Sequence, residues 1–385
     1  MAEDWEQGGF GLYLHWPFCE AKCPYCDFNS HVSRQIDQKA WCEAYLKELD
    51  RTAAETHGRV LLSVFFGGGT PSLMSPETVS KIIERIRYNW PCANDLEITL
   101  EANPSSVEAG RFLAFRDGGV NRISMGIQAL NDPDLKRLGR LHSADEAMQA
   151  FEIARKTFDR VSFDLIYARQ NQSLAEWKSE LECALALGVD HLSLYQLTIE
   201  QGTAFGDRYN AGNLRGLPNE DLGADLFSMT QEICDRHGLP AYEVSNHARD
   251  GAQSRHNLIY WRYGDYIGIG PGAHGRLTLN GQRYATECYS NPNRWLQSVA
   301  SGLGESTRSR LTATEQVSEF LLMGLRLKEG ISLNRYEALA GSPLDPSTVT
   351  DLREMGFVEI KDRNLMILNQ GLIISNAVIS KLLED

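Results

Sequence analysis

Three cysteines, Cys19, Cys23 and Cys26, stand close enough together to act jointly, in the spacing C-x3-C-x2-C. Thiolates ligate soft metals, and a single loop that carries three of them can bring them to one place. A cubane [4Fe–4S] cluster takes four ligands, so three cysteines leave one iron open, and an open iron is where chemistry can happen. The competing reading is a structural zinc site. It wants a fourth Cys or His, which His31 would have to supply, and no second C-x-x-C pair follows. The other five cysteines, Cys42, Cys92, Cys183, Cys234 and Cys288, stand singly and read as small buried hydrophobes.

Further polar and glycine-rich positions collect at the ends of short apolar runs. Gly67-Gly68-Gly69-Thr70-Pro71 closes one such run, where glycines let the backbone approach a ligand closely. Glu101, Gln128 and Asp164 also sit at or just past the carboxyl ends of predicted strands, the rim where active-site residues gather in barrel-like folds. Gly270-Pro-Gly272-Ala-His-Gly275 matches G-x-G-x-x-G, but a dinucleotide site needs a helix opening on the third glycine. Here Leu277-Thr-Leu279, Asn280-Gly281 and Gln282-Arg-Tyr284 predict a hairpin instead, so no nicotinamide or flavin site is assigned.

The elements that must position these residues repeat from residue 11 to about 245: a β-branched run, a turn, then an amphipathic helix. That rhythm predicts βαβ units and a parallel sheet. The strands read are Gly11–Trp16, Leu61–Phe66, Leu96–Glu101, Val120–Met125, Arg160–Ile166 and His191–Gln196, too few for a closed eight-stranded barrel. Helix starts are written as S-x-x-E capping boxes at Ser105/Glu108, Ser143/Glu146 and Ser173/Glu176, and as Ser75 followed by Pro76. The stripes Val79, Ile82, Ile83, Ile86 and Leu222, Leu226, Met229, Ile233 are core faces of helices. From Arg255 to Gly275 aromatics and glycine replace helix signals. Asn291–Ser309, rich in Pro, Asn, Ser and Gly, reads as a boundary, and residues 310–385 as a small, mainly helical accessory domain following a main domain over 1–290.

At 385 residues, 42% hydrophobic, the chain can bury a large core. A net charge of −13 offers no global field for nucleic acid or anionic lipid, and no apolar run approaches the roughly 18 residues of a membrane span. The opening MAEDWEQGGF has acids where a secretory signal would be basic. We therefore expect a cytoplasmic protein with reduced thiols. Pairing of two copies is left open.

The C-x3-C-x2-C loop, with Tyr25 preceding Cys26, resembles the radical S-adenosylmethionine (SAM) superfamily. The resemblance implies a partial (βα)6 barrel, a [4Fe–4S] cluster on Cys19, Cys23 and Cys26, and SAM chelated to the open iron. It further implies SAM contacts from Tyr13, Tyr25, Gly68, Gly69, Thr70, Glu101, Gln128, Arg140 and Asp164. Tyr13-Leu-His-Trp-Pro-Phe-Cys19, Phe66-Gly-Gly-Gly-Thr-Pro-Ser72 and Asn121-Arg-Ile-Ser-Met-Gly-Ile-Gln128 narrow it to the coproporphyrinogen-dehydrogenase-like group. The dehydrogenases of that group carry a fourth cysteine two positions beyond the third ligand; here Phe28 stands there, which can neither ligate metal nor shuttle a proton. His256-Asn257-Leu-Ile-Tyr260-Trp261 is similar to the H-N-x-x-Y-W signature of the HemW-type heme chaperones. That likeness implies heme as ligand and apo-hemoproteins as clients. An imidazole is a normal axial ligand of heme iron, although a motif needed for heme binding need not supply the ligand itself. Relatives read Asp-Leu-Ile-Tyr-Gly-Leu-Pro where this chain has Asp164-Leu-Ile-Tyr-Ala168-Arg169-Gln170, a loop with different backbone options.

Overall fold

The computed structural model describes residues 3–33 and 35–384. Its centre is an eleven-stranded sheet. In chain order the strands are β1 (Phe10–Trp16), β2 (Leu61–Gly68), β3 (Cys92–Ala102), β4 (Arg122–Gln128), β5 (Arg160–Tyr167), β6 (His191–Gln196), β7 (Asn246–Ala248), β8 (Asp265–Ile269), β9 (His274–Leu279), β10 (Gln282–Cys288) and β11 (Glu305–Arg310). Their spatial order is β11-β10-β9-β8-β1-β2-β3-β4-β5-β6-β7, so the sheet stays open between β11 and β7.

The six predicted strands are present and run parallel, as helical crossovers require. A seventh joins them: β8 lies parallel to β1 on the side away from β2. The sequence hid it among aromatics and glycines. β4 begins two residues later than expected and ends on Gln128, because Val120 closes the preceding helical turn by donating its N–H to Phe115. β1 is buried on both faces, as a strand flanked by crossover helices must be, and its apolar run Phe10, Leu12, Leu14 and Trp16 is the centre of the main core.

Helix entry follows local chemistry. Ser143 and Ser173 each complete a capping box with Glu146 and Glu176, and Ser75 caps the helix Pro76–Asn89. Ser105 differs. Its hydroxyl accepts from the Glu108 N–H, but the Glu108 carboxylate turns inward, where it accepts from the Ser72 hydroxyl and the Asn103 N–H. Three of the five single cysteines are buried, as expected: Cys42, Cys234 and Cys288. Cys92 is half-buried and Cys183 is exposed, a correction to the sequence reading. Cys183 falls off the Trp177, Leu181, Ala184 stripe of its helix and points to solvent.

Two further segments depart from expectation. Asn291–Ser309 is no plain linker: it forms the helix Pro292–Ala300, capped by Asn291 with Pro292 at its first position, and most of β11. The helix buries Trp295, stacked on Trp41 at 5.4 Å, so one large aromatic ties a polar stretch to the core. Arg255–Trp261, read without helix signals, is a short helix capped by Ser254. Beyond residue 310, helices such as Ala313–Gly324, Leu333–Ala340 and Pro346–Glu354 surround a three-stranded sheet and a core of their own that includes Phe320, Leu321 and Leu365. Tyr263 of the main domain enters that core, and Arg276 clamps Glu319 across the junction. Among the described residues no helix is long and apolar enough to cross a membrane.

Candidate functional site

Two adjoining chambers open at the carboxyl end of the parallel strands. The outer, of about 400 Å³, is lined by Cys19, Cys23, Cys26, Tyr25, Gly68, Gly69, Thr70, Glu101, Gln128, Arg140 and Asp164. The inner, of about 310 Å³, is lined by Tyr13, Phe65, Arg122, His191, Tyr195, His256, Asn257 and Tyr260 among others. Phe28, Gly68, Glu101, Ser124 and Asp164 border both. Every predicted site residue except Trp261 therefore faces one chamber or the other.

The three sulfurs are each met by a polar neighbour. Thr70 donates to Cys19 Sγ over 3.5 Å and Arg140 Nη1 to Cys23 Sγ over 3.3 Å, while Ser30 Oγ lies 3.8 Å from Cys26 Sγ. Donors aimed at sulfur stabilise the thiolate form that metal binding requires, although burial pushes the Cys19 and Cys26 thiols up. The chain must also pass close here. A Cβ on Gly69 would lie 3.0 Å from Cys19 Sγ and 2.7 Å from the Phe18 carbonyl, and Gly68 takes φ +109° against the His15 ring. Among the described residues, no three Cys, His, Asp or Glu side chains close on a single point as a lone metal ion demands. Three cysteines lining one chamber suit a cluster, which distributes its ligands over different irons.

Across the chamber, Glu101 of β3 lies in register with Ser124 of β4, and Asp164 of β5 with Ser193 of β6. Burial, reinforced by the Asp164 charge, pushes Glu101 up to about 8. Asp164 is pushed up to about 6 by burial, despite the hydroxyl of Ser193 and the charges of Arg122 and Arg140. A cationic group bound beside both carboxyls would relieve what holds them protonated, and SAM carries an ammonium and a sulfonium. Arg140 also donates to the Asn103 side chain and the Gly126 carbonyl, which fixes its guanidinium between the cysteines and the strand ends. Gln128, at φ +74°, turns its side chain over this edge.

The H-N-x-x-Y-W segment divides. His256, Asn257 and Tyr260 line the inner chamber, whereas Trp261 faces the other way, into a cluster with Tyr242, Ala248 and Leu327 and beneath the Arg326 guanidinium. His256 is 1% exposed. Its Nδ1 meets Ser63 Oγ at 2.8 Å and its Nε2 meets the Tyr260 hydroxyl at 2.6 Å, and Phe65 stacks on its ring at 4.9 Å. Burial, then the nearby Arg122, lowers its pKa to about 3, so the ring is neutral. Tyr13 donates to His15 Nδ1, whose Nε2–H in turn donates to the Asn29 carbonyl, tying β1 to the cysteine loop.

Several lining residues escaped the sequence reading. Arg122, Ser124, His191, Ser193 and Tyr195 all point inward from β4 and β6, and Asn103 supports Arg140. Period-two alternation along those strands was the signal that could have found the first five. The loop at Ala168 has its own solution. Ala168 takes φ +59°, and Arg169 turns inward to bond the Ile166 carbonyl, the buried carboxylate of Glu180 and the half-buried one of Asp134.

Comparison with known proteins agrees with this arrangement. Residues 13–183 match the radical SAM superfamily model and residues 311–374 the HemN C-terminal domain. The chain is similar to the heme chaperone HemW of Escherichia coli, with 40% identity over 86% of each chain. It is also 37% identical to radical S-adenosyl methionine domain-containing protein 1, mitochondrial, of Danio rerio, over 97% of this chain and 87% of that one. In fold it matches the coproporphyrinogen III oxidase HemN of Escherichia coli, with TM-score 0.81 and 20% identity over 97% of this chain and 90% of the other.

Proposed function

Because the chain belongs to the radical SAM superfamily, and within it to the family of the heme chaperone HemW, we propose that it binds heme and delivers it to apo-hemoproteins. The observation that carries the reading is the likeness to several HemW chaperones over most of the chain, taken with Phe28 at the mouth of both chambers. A dehydrogenase of the related group would present a thiol there; this chain presents a phenyl ring.

Cys19, Cys23 and Cys26 would hold the [4Fe–4S] cluster, with Thr70, Arg140 and Ser30 as polar neighbours of the sulfurs. SAM would lie between the Gly68-Gly69-Thr70 turn and the carboxylates of Glu101 and Asp164, with Tyr13, Tyr25, Gln128 and Arg140 around it. When bound, the cluster supplies an electron and an open coordination site. The chain's own residues orient the ligand, keep its positive groups against buried carboxylates and exclude water. Cys19, Cys23 and Cys26 face the outer chamber unpaired, which fits a cytoplasmic protein whose thiols stay reduced.

The test is anaerobic reconstitution followed by two assays on one preparation. We expect stoichiometric heme uptake and transfer to an apo-hemoprotein, with no product from coproporphyrinogen, SAM and reductant. Turnover of coproporphyrinogen would overturn the chaperone reading.

A further inference from the structure

Resting on that reading, we propose that heme docks across the mouth of the outer chamber, on an apolar rim formed by Phe28, Val107 and Leu141, and not on the imidazole of His256. The three rim side chains come from three separate segments: the cysteine loop, the helix that follows β3, and the turn after Arg140. All three line the outer chamber, yet they remain 59%, 65% and 73% exposed. Exposed apolar side chains scattered singly are ordinary. Three placed around one opening are an apolar platform waiting for a cover.

The cover is identified by its chemistry. Lys22 lines the same mouth, is exposed, and makes no ion pair among the described residues. An apolar platform with a free ammonium at its edge suits a flat apolar ligand carrying carboxylates, and the heme macrocycle with its propionates is such a ligand. Glu20, also at the mouth, would turn the propionates toward the Lys22 side.

The inner chamber offers no comparable place. At about 310 Å³ it lies at the small end of the roughly 300–1,000 Å³ range of pockets for drug-sized ligands, and heme is larger than most of those. His256 lies in its wall with both ring nitrogens bonded and Phe65 over its face. Meeting an iron there would first require breaking one of those two hydrogen bonds. The segment then acts by shaping the inner wall, while heme stays outside.

The experiment uses the full, cluster-loaded chain under anaerobic conditions, titrated with heme and followed at the Soret band. Leu141→Asp, Val107→Asp and Lys22→Glu should each bind heme about tenfold more weakly, or about 1.4 kcal/mol, with the cluster absorbance intact. Saturating heme should also slow the loss of iron from the parent to an added chelator, because it covers the way in. Parental affinity in all three variants overturns the proposal. Parental affinity combined with failed transfer to an apo-hemoprotein overturns it too, and assigns the rim to the client protein. A parent that binds no heme at all overturns the chaperone reading instead, so the two failures are distinguishable.

Discussion

The Nε2 atom of His256 lies 2.6 Å from the hydroxyl of Tyr260, one helical turn further along, while Nδ1 reaches back to Ser63 on β2. The imidazole thus bridges two hydroxyls inside a closed wall, and its removal strands both. Deleting one partner of a buried hydrogen bond costs about 1–3 kcal/mol through the desolvated group left behind, whereas a typical bond contributes about 1 kcal/mol. His256→Ala should therefore lower unfolding stability in urea by more than Tyr260→Phe, which leaves a single ring nitrogen unpaired. Equal stability of His256→Ala and the parent would show that the bridge contributes nothing.

The buried Arg169 holds two carboxylates, Glu180 and Asp134. Removing one member of a buried ion pair leaves the other charge uncompensated and costs about 3–5 kcal/mol. Arg169→Ala should destabilise by that order in chemical denaturation. At the neighbouring Ala168, φ +59° places Cβ against the following carbonyl, at a cost of about 1–2 kcal/mol that glycine avoids. Part of that gain is offset by the greater freedom of glycine in the unfolded chain. Ala168→Gly should thus raise stability by about 0.5–1 kcal/mol, and a loss of stability would refute the strain.

Glu101 gives a pH signature. Its folded-state value, about 8, lies above the ordinary 4.5, so the folded state holds the proton more tightly than the unfolded one. The associated stability is fully present below about pH 4.5 and is lost as pH rises through about 8. Glu101→Gln carries no such loss. In ligand-free protein the variant should gain on the parent between about pH 5 and pH 9 in thermal unfolding, and parallel profiles would remove the basis for this assignment.

Replacing Cys19, Cys23 or Cys26 with Ser should abolish the [4Fe–4S] absorbance and leave a folded chain, since none of the three is part of the main core. Gly69→Ala acts on the same loop from the other side. Its new Cβ would sit 2.7 Å from the Phe18 carbonyl and 3.0 Å from Cys19 Sγ, so the reconstituted variant should hold less iron than the parent. Full iron content in Gly69→Ala would show that the loop yields without consequence.

What the sequence determined by itself was whatever depends on near neighbours along the chain. The C-x3-C-x2-C spacing, the serine caps at Ser75, Ser143 and Ser173, and the alternation of apolar runs with amphipathic stretches all act within a few residues, and all appear where expected. What required the tertiary structure involves partners far apart. β8 is recognisable only beside β1, about 255 residues earlier, because its strand character comes from the ladder it joins. Asn291–Ser309 looks like a boundary until Trp295 finds Trp41. The H-N-x-x-Y-W residues separate onto two faces only when the helix is wound, which sends His256 to Ser63, 193 positions away, and Trp261 to the opposite side. Local spacing specifies caps and ligand loops because those bonds close within one turn; which side of a wall a side chain meets is settled by long-range packing, and that decided which of the H-N-x-x-Y-W residues line the inner chamber.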